Sequence, residues 1–141
     1  MGSEMCIRDS FMTAIYGTFD TATGAFSLVR AGHPAAFVRR ADGTVERLAP
    51  RGLGIGMTRS RFRELTDLAE GRLEPGDCLL CCTDGLVEAL SPEDQLYGEG
   101  RLAECLAQAS GDIQKAVLAD VEQFTAGRPL EDDLTLLVVR A

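Results

Sequence analysis

The first half of the chain alternates apolar and polar positions in short runs separated by turn residues. Four segments combine this period of two with β-branched and aromatic residues, namely residues 12–20, 25–30, 36–40 and 45–48. The dipeptide Asp42-Gly43 between the last two segments is a strong hairpin signal. This pattern predicts four strands in an antiparallel meander with short connections.

A continuous apolar run follows in the second half, and the period then becomes helical. Residues 78–82 follow the turn Glu74-Pro75-Gly76-Asp77 and predict a buried strand, with residues 61–70 as another plausible strand before it. Residues 88–90 suit a short helical turn. Two stripes at helical spacing predict two helices that pack on a sheet: Leu102, Cys105, Leu106 and Ala109, then Ile113, Val117, Val121 and Phe124.

Residues 134–139 are apolar on both faces, which predicts a central closing strand. Asp112 is the candidate N-cap of the second long helix. The order of strands, two helices and a last strand favours an α+β fold in which helices cover an antiparallel sheet.

Two predicted strands carry carboxylates at one end. Asp84 ends the run 78–82, and Glu131-Asp132-Asp133 leads into the run 134–139. A carboxylate at the end of a buried strand is costly unless its charge is offset, and a divalent cation is the usual partner for several such oxygens. The pattern outlines a site for a hard metal ion.

Composition narrows the function classes. The 141 residues suffice for one domain with a real core, and the formal charge of −8 argues against a nucleic-acid or anionic-membrane surface. No apolar stretch approaches the length of a membrane span. The five cysteines are odd in number and three lie in one predicted strand, which favours a reducing cytoplasm. Cys78 and Cys81 would point to opposite faces of that strand, so they favour core packing over a zinc site.

Three further features each allow two interpretations. The loop Gly52-Leu53-Gly54-Ile55-Gly56 resembles a nucleotide-binding loop, but no helix start follows it, so a flexible crossing loop is preferred. The alternating Arg59, Arg61 and Arg63 form a solvated edge, with a phosphate-facing role for one of them as the minority option. His33 before Pro34 is either a turn element or part of the rim of a site.

The order of several motifs resembles the PPM-type, metal-dependent serine/threonine phosphatases, in particular the bacterial stage II sporulation protein E branch. The match covers residues 11 to 140, and the motifs that carry it are Ala31-Gly32-His33-Pro34, Gly52-Leu53-Gly54, Leu73-Glu74-Pro75-Gly76-Asp77, Thr83-Asp84-Gly85-Leu86-Val87-Glu88-Ala89, Tyr97-Gly98 and Asp132-Asp133-Leu134-Thr135. The resemblance implies an antiparallel β-sandwich flanked by helices in α-β-β-α layers. It implies a cytoplasmic signalling hydrolase with phosphoserine or phosphothreonine of a protein as substrate, often a small anti-sigma-factor antagonist.

The resemblance also implies a two-metal site for Mn²⁺ or Mg²⁺, in which metal-activated water attacks phosphorus. By motif position, Asp84 and Asp132 are the catalytic, metal-binding aspartates. Asp133 and Thr135 would support these ligands, Gly85 would let the backbone approach the metal-bound waters, and His33 would lie at the rim.

One block of the family pattern is missing. We find no Asp-Gly-x-Gly-His-Gly-like segment, and residues 1–10 fit neither the pattern nor a signal peptide, so they resemble a tag or scar. We therefore expect residues 11–141 to be the C-terminal part of an incomplete phosphatase domain. Alone it would be inactive or very weak, and it would associate through exposed sheet surface. The alternative is a non-catalytic protein-interaction module derived from the same fold, although such a scaffold has no need for Asp84, Asp132 and Asp133 at strand ends.

Overall fold

A computed structural model describes residues 10–141 as two antiparallel sheets with helices against one of them. The strands are β1 (Ala14–Phe19), β2 (Ala25–Ala31), β3 (Ala36–Arg39), β4 (Val45–Leu48), β5 (Leu68–Arg72), β6 (Cys78–Cys82) and β7 (Leu136–Arg140). The helices are α1 (Asp84–Val87), α2 (Gly98–Gln108) and α3 (Ile113–Thr125). The segment 1–10, predicted to be unrelated to the domain, lies outside the described residues except for Ser10.

The strands form a three-stranded sheet in the order β1-β2-β5 and a four-stranded sheet in the order β4-β3-β6-β7. The predicted meander is wrong at one connection, because β2 and β3 lie in different sheets. The chain leaves the first sheet at Gly32, which has φ of 63° and donates its N–H to Gly52 O at 2.9 Å. This left-handed turn, which favours glycine, carries the chain across to the second sheet.

The fold has three layers, namely the three-stranded sheet, the four-stranded sheet and the helices, and one hydrophobic core lies between each pair of adjacent layers. Between the sheets, Phe26 and Leu28 pack with Val38 and Leu79. On the other face of the four-stranded sheet, Phe37 and Leu80 pack against the helices. The predicted apolar helix stripes lie in this second core, where Leu102, Leu106 and Val117 are fully buried. The α+β sandwich is thus confirmed, with the described helices on one of its faces.

The last strand differs from its prediction. Within residues 10–141, β7 lies at an edge of the four-stranded sheet and not at its centre. Its apolar side chains meet apolar neighbours on both faces of the sheet, although none of them is fully buried. Leu136 and Val138 pack toward the helices, and Val139 packs between the sheets.

Two local elements begin elsewhere than predicted. The strand expected at residues 61–70 begins only at Leu68, because residues 61–66 form turns in which Thr66 Oγ1 donates to Phe62 O at 2.6 Å. The helical turn expected at residues 88–90 is instead α1, which ends at Val87 with Glu88 as its C-cap. Asp112 is the N-cap of α3 as predicted, since it accepts the N–H of Lys115 at 3.2 Å.

The described part of the sandwich is open along one side, where β1 and β7 are both edge strands. A cleft of about 330 Å³ lies there between Ile15, Phe19, Cys81 and other side chains of both sheets. Leu137 on β7 is 57% exposed beside it. This is the exposed sheet surface expected from the sequence, and association through it stays a prediction. In residues 10–141, no helix combines the length and apolar composition that a membrane span needs.

The helix layer contains a buried tyrosine whose loss can be tested. Tyr97 is 3% exposed, and its hydroxyl donates to Asp120 Oδ2 at 2.5 Å. Because a hydrogen bond to a charged group contributes about 1.5–3 kcal/mol, Tyr97→Phe should lower the free energy of unfolding by that amount. Tyr16, which is 70% exposed, provides the matched control. Urea denaturation should show Tyr16→Phe within about 0.5 kcal/mol of wild type, and equal effects of the two variants would contradict the prediction.

Candidate metal-binding site

Both acidic segments lie at the same end of the four-stranded sheet. β6 and β7 pair antiparallel, and Cys82 at the end of β6 is opposite Leu136 at the start of β7. The residues that follow β6 and those that precede β7 therefore leave the sheet side by side. Asp84 and Asp132 belong to these two segments, although they are far apart in sequence.

Hydrogen bonds join the two segments beyond the last paired residues. Thr83 N–H donates to Thr135 O at 3.0 Å, and Thr135 N–H donates to Thr83 Oγ1 at 2.9 Å. The Thr83 hydroxyl also lies 3.3 Å from Asp133 O, to which it donates. These bonds fix the backbone next to Asp84 against the backbone next to Asp132.

Gly85 brings the two segments into direct contact. It is buried in the first turn of α1, and a Cβ placed on it would lie 2.2 Å from Asp133 O and 3.0 Å from Asp132 O. Real Cβ atoms essentially never come so near to backbone oxygen, so a glycine is required at this position. The contact that Gly85 makes in the structure is with the Asp132-Asp133 backbone, and its predicted approach to metal-bound waters stays a prediction.

The carboxylates differ in their surroundings. Asp84 is half-buried, whereas Asp132 and Asp133 are exposed. Asp133 N–H donates to Asp132 Oδ1 at 2.8 Å, which orients the Asp132 carboxylate. Asp133 therefore contacts the candidate ligand Asp132 through its backbone, and Thr135 contacts the Asp84 segment through Thr83.

The carboxylate oxygens of Asp84 and Asp132 are of the kind that binds a hard cation, but they are too few for a complete site. Carboxylate oxygens suit Mg²⁺ or Mn²⁺, and Mg²⁺ is often held by one or two carboxylates with water in its other positions. Within residues 10–141, however, no group of three or more His, Cys, Asp or Glu side chains is arranged to hold a metal ion. Asp84 and Asp132 could thus supply part of a metal site, and a two-metal site needs further ligands.

The cysteines of β6 are structural. Cys78 and Cys82 face the helices, and Cys81 faces the other sheet, as the period of two predicts. Burial raises the pKa of Cys81 to about 11 and, with neighbouring acidic groups, that of Cys82 to about 12. Since the thiolate is the reactive form, neither is suited to be a nucleophile near neutral pH.

His33 is half-buried and bonded within its own turn. Its Nδ1 lies 3.2 Å from Pro34 O, and its carbonyl accepts a hydrogen bond from Arg30 Nη1 at 2.8 Å. These contacts agree with a turn element, and a role for His33 at the rim stays a prediction. The glycine-spaced loop is a crossing connection, because residues 52–56 are followed by bends and turns and not by a helix.

The sequence pattern did not predict the part that Glu99 plays in linking α2 to the turn before β3. In the first turn of α2, its Oε1 accepts Ala35 N–H at 3.0 Å and its Oε2 accepts from Arg47 at 2.6 Å. Burial favours a higher pKa for Glu99, but the bonds from Ala35 and Arg47 outweigh it and lower the pKa. The carboxylate ties the His33–Ala35 turn to the helix layer. Its only sequence signal is an acid in a first helical turn, which many helices share.

Comparison with known proteins agrees with this architecture. Residues 3–141 match the family described as Stage II sporulation protein E (SpoIIE). Protein IcfG of Synechocystis sp. (strain ATCC 27184 / PCC 6803 / Kazusa) is 29% identical over 132 residues, which are 92% of this chain and 20% of that protein. The chain belongs to the SpoIIE family and has the fold of the PPM-type, or PP2C-like, phosphatase domains.

Two solved structures show the same fold at low identity. The SiaA-PP2C domain of Pseudomonas aeruginosa has a TM-score of 0.74 and 21% identity over 92% of this chain and 51% of that one. The Mn-presoaked phosphatase domain of SpoIIE from Bacillus subtilis has a TM-score of 0.69 and 22% identity over 91% of this chain and 55% of that one. The chain thus spans about half the length of these structures and a fifth of Protein IcfG.

Proposed function

We propose that this chain contributes the Asp84 and Asp132 part of the active site of a metal-dependent protein serine/threonine phosphatase. The observation that carries the proposal is the contact between the two acidic segments, through Thr83 and Thr135 and through Gly85 and Asp133. Membership of the SpoIIE family supports phosphate-ester hydrolysis as the chemistry. The substrate would be phosphoserine or phosphothreonine on a regulatory protein of the anti-sigma-factor antagonist type.

The residues of this chain would hold and orient the site. When bound, Mn²⁺ or Mg²⁺ would activate water and offset negative charge on the phosphoryl group. Asp84 and Asp132 would ligate the ion, with Asp132 oriented by the Asp133 N–H. The bonds of Thr83 to the Thr135 segment would keep the two aspartates at a fixed separation. The remaining ligands would come from outside the described residues.

Metal binding tests this assignment without requiring turnover. Asp84→Asn keeps the shape of the side chain but removes its charge, so Mn²⁺ affinity measured by calorimetry should fall at least about tenfold. Residues that only hydrogen-bond to a metal ligand already change metal affinity by about 10–100-fold when they are replaced, so a ligand itself should contribute at least the lower value. Asp132→Asn should have the same effect. Thermal unfolding of each variant without metal would establish that the fold is kept.

Glu131→Gln is the matched control, because Glu131 is an exposed acid next to Asp132 that forms a long ion pair, at 3.5 Å, with Arg128. It should bind Mn²⁺ like wild type. Equal Mn²⁺ affinity of Asp84→Asn and wild type would remove Asp84 from the site. Where wild type hydrolyses an aryl phosphate measurably with Mn²⁺, an equal rate in Asp84→Asn would remove Asp84 from catalysis.

The second candidate function is a non-catalytic interaction module on the same fold. One observation favours it: the described residues contain no three-ligand metal cluster. In that case the chain would bind a protein partner without Mn²⁺, and Asp84→Asn and Asp132→Asn would leave that binding unchanged.

A further inference from the structure

The connection from β4 to β5 concentrates positive charge in an acidic protein. Residues 51–63, here called the arginine loop, contain Arg51, Arg59, Arg61 and Arg63 and no acidic residue, although the chain carries a formal charge of −8. This local reversal of charge is the electrostatic condition for attracting an anionic partner.

Two of these arginines have no carboxylate partner among the residues that the structure describes. Arg51 pairs with Asp67 at 3.2 Å and Arg61 with Glu64 at 2.9 Å. Arg59 and Arg63 are exposed, and neither forms an ion pair with a carboxylate of residues 10–141. Internal pairs hold part of the loop in place, and within the described residues the charges of Arg59 and Arg63 are open to a partner.

An exposed apolar cluster lies at the start of the same loop. Met12 and Ile55 exchange backbone hydrogen bonds at 2.9 and 2.7 Å, and Phe11 and Met57 flank Gly54. These four apolar side chains are between 45% and 66% exposed. Adjacent large apolar residues left in water beside arginines are typical of a protein-binding surface.

The arginine loop lies at the same end of the sandwich as the two aspartates. It leaves β4 after Leu48, which pairs with Ala36, and returns at Leu68, which pairs with Val29. Those partners flank the turn between β2 and β3. One residue beyond Ala36, Phe37 pairs with Leu80 near the end of β6, where Asp84 follows. A chain bound along the loop would therefore lie at the end of the sandwich that carries Asp84.

We propose that the arginine loop and its apolar cluster bind an acidic segment of the protein substrate, next to the phosphorylated residue. This proposal rests on the function proposed above and names the recognition element of the same site. Arg59 and Arg63 pair with carboxylates of the substrate, and the Met12–Ile55 cluster covers its apolar side chains. An anionic membrane is disfavoured as the occupant, because an extended anionic surface would face the negative charge of the whole chain, whereas a short acidic segment meets only the loop.

A peptide-binding experiment on this chain tests the proposal. The probe is a fluorescein-labelled peptide with one phosphoserine flanked by Asp and Glu, followed by fluorescence anisotropy in a salt series. Arg59→Glu with Arg63→Glu should weaken binding about tenfold at low salt, and the difference should shrink as salt screens the charges. Arg59→Ala with Arg63→Ala should give a smaller loss in the same direction, which covers the case in which the charge-reversed protein does not fold.

The matched control is Arg72→Glu with Lys115→Glu, which changes the net charge equally. Arg72 ends β5 at the opposite end of its sheet, and Lys115 is an exposed cation on α3. This control should bind within about twofold of wild type. If both double variants lost peptide affinity equally, the change in net charge alone would explain the loss, and the proposal would be overturned. Peptide binding equal to wild type after reversal of Arg59 and Arg63 would also overturn it.

Two further measurements separate the remaining outcomes. Binding of the arginine loop to phosphatidylserine vesicles, with no binding of the peptide, would assign it to a membrane and contradict the proposal. Mn²⁺ affinity should be unchanged in the loop variants. If Asp84→Asn binds Mn²⁺ as tightly as wild type, the proposed function is refuted. If reversal of Arg59 and Arg63 leaves peptide affinity unchanged, only the recognition element is refuted.

Discussion

Gly85→Ala is expected to destabilise the protein by about 2 kcal/mol or more and to weaken Mn²⁺ binding. The added Cβ would lie 2.2 Å from Asp133 O and 2.7 Å from Asp133 C, so the backbone that carries Asp132 and Asp133 has to move. Overpacking by a single methyl group costs about 1–3 kcal/mol, and a clash with backbone atoms falls at the upper end because backbone cannot change rotamer. Urea denaturation and Mn²⁺ calorimetry measure the two effects.

Gly100→Ala is the matched control for this change. Gly100 is an exposed residue of α2, and a Cβ there would have no atom within 4 Å. Because alanine favours a helix over glycine by about 1 kcal/mol, this variant should be as stable as wild type or slightly more stable. Wild-type stability and Mn²⁺ affinity in Gly85→Ala would show that the close contact between α1 and the Asp132-Asp133 backbone is not required.

Asp77→Ala is expected to produce the largest loss of stability, about 3–5 kcal/mol. Asp77 is 4% exposed, and its Oδ2 accepts from Arg40 Nη1 at 2.8 Å and from Glu74 N–H at 2.9 Å. Its Oδ1 accepts from Ala41 N–H at 2.9 Å. Removal of the carboxylate leaves these donors without their acceptor at the turns before β6 and after β3. The free energy of unfolding in urea measures this loss.

The contribution of Asp77 should depend on pH in a defined direction. Burial favours a higher pKa for this carboxyl group, but the hydrogen bonds from Arg40, Glu74 and Ala41 outweigh it and lower the pKa below the ordinary value of 3.8. The folded protein therefore binds a proton less readily than the unfolded chain. The stability difference between wild type and Asp77→Ala should be full above about pH 4 and fall as the pH drops through the lowered folded pKa.

Asp67→Ala serves as the control for Asp77→Ala. Asp67 also pairs with an arginine, but both side chains of the Asp67–Arg51 pair are more than half exposed. Because exposed ion pairs contribute about 0–1 kcal/mol, its removal should cost less than 1 kcal/mol. Similar losses in Asp67→Ala and Asp77→Ala, or a difference that does not change between pH 7 and pH 3, would contradict the assignment.

Local patterns predicted most elements because local physics controls them. The period of two in β2 and the helical stripes around Leu102 and Val117 reflect one buried face in each element. The N-cap at Asp112 depends only on an N–H three residues ahead. The strand expected at residues 61–70 was misplaced, because side-chain-to-backbone bonds such as Thr66 to Phe62 favour turns there.

The sheet order could not be obtained in this way. A strand that is apolar on both faces fits the centre of a sheet, but it equally fits an edge strand with apolar neighbours on both faces, and β7 is the latter. The meander was interrupted at Gly32 for a similar reason, because its partner Gly52 lies 20 residues away and no local signal names it. The roles of Asp77 and Glu99 likewise depend on donors 36 and 64 residues away.

The amino-acid order alone determined the family and most of the strand-and-helix content, since motif order and side-chain period are properties of the sequence. It also predicted Asp84 and Asp132 as metal ligands, which stays a prediction. Only the tertiary structure decided that the segments of Asp84 and Asp132 are in contact, because antiparallel pairing of β6 with β7 and the missing side chain of Gly85 bring distant residues together. It also decided that the arginine loop emerges at the same end, because the strand registers of both sheets place it there.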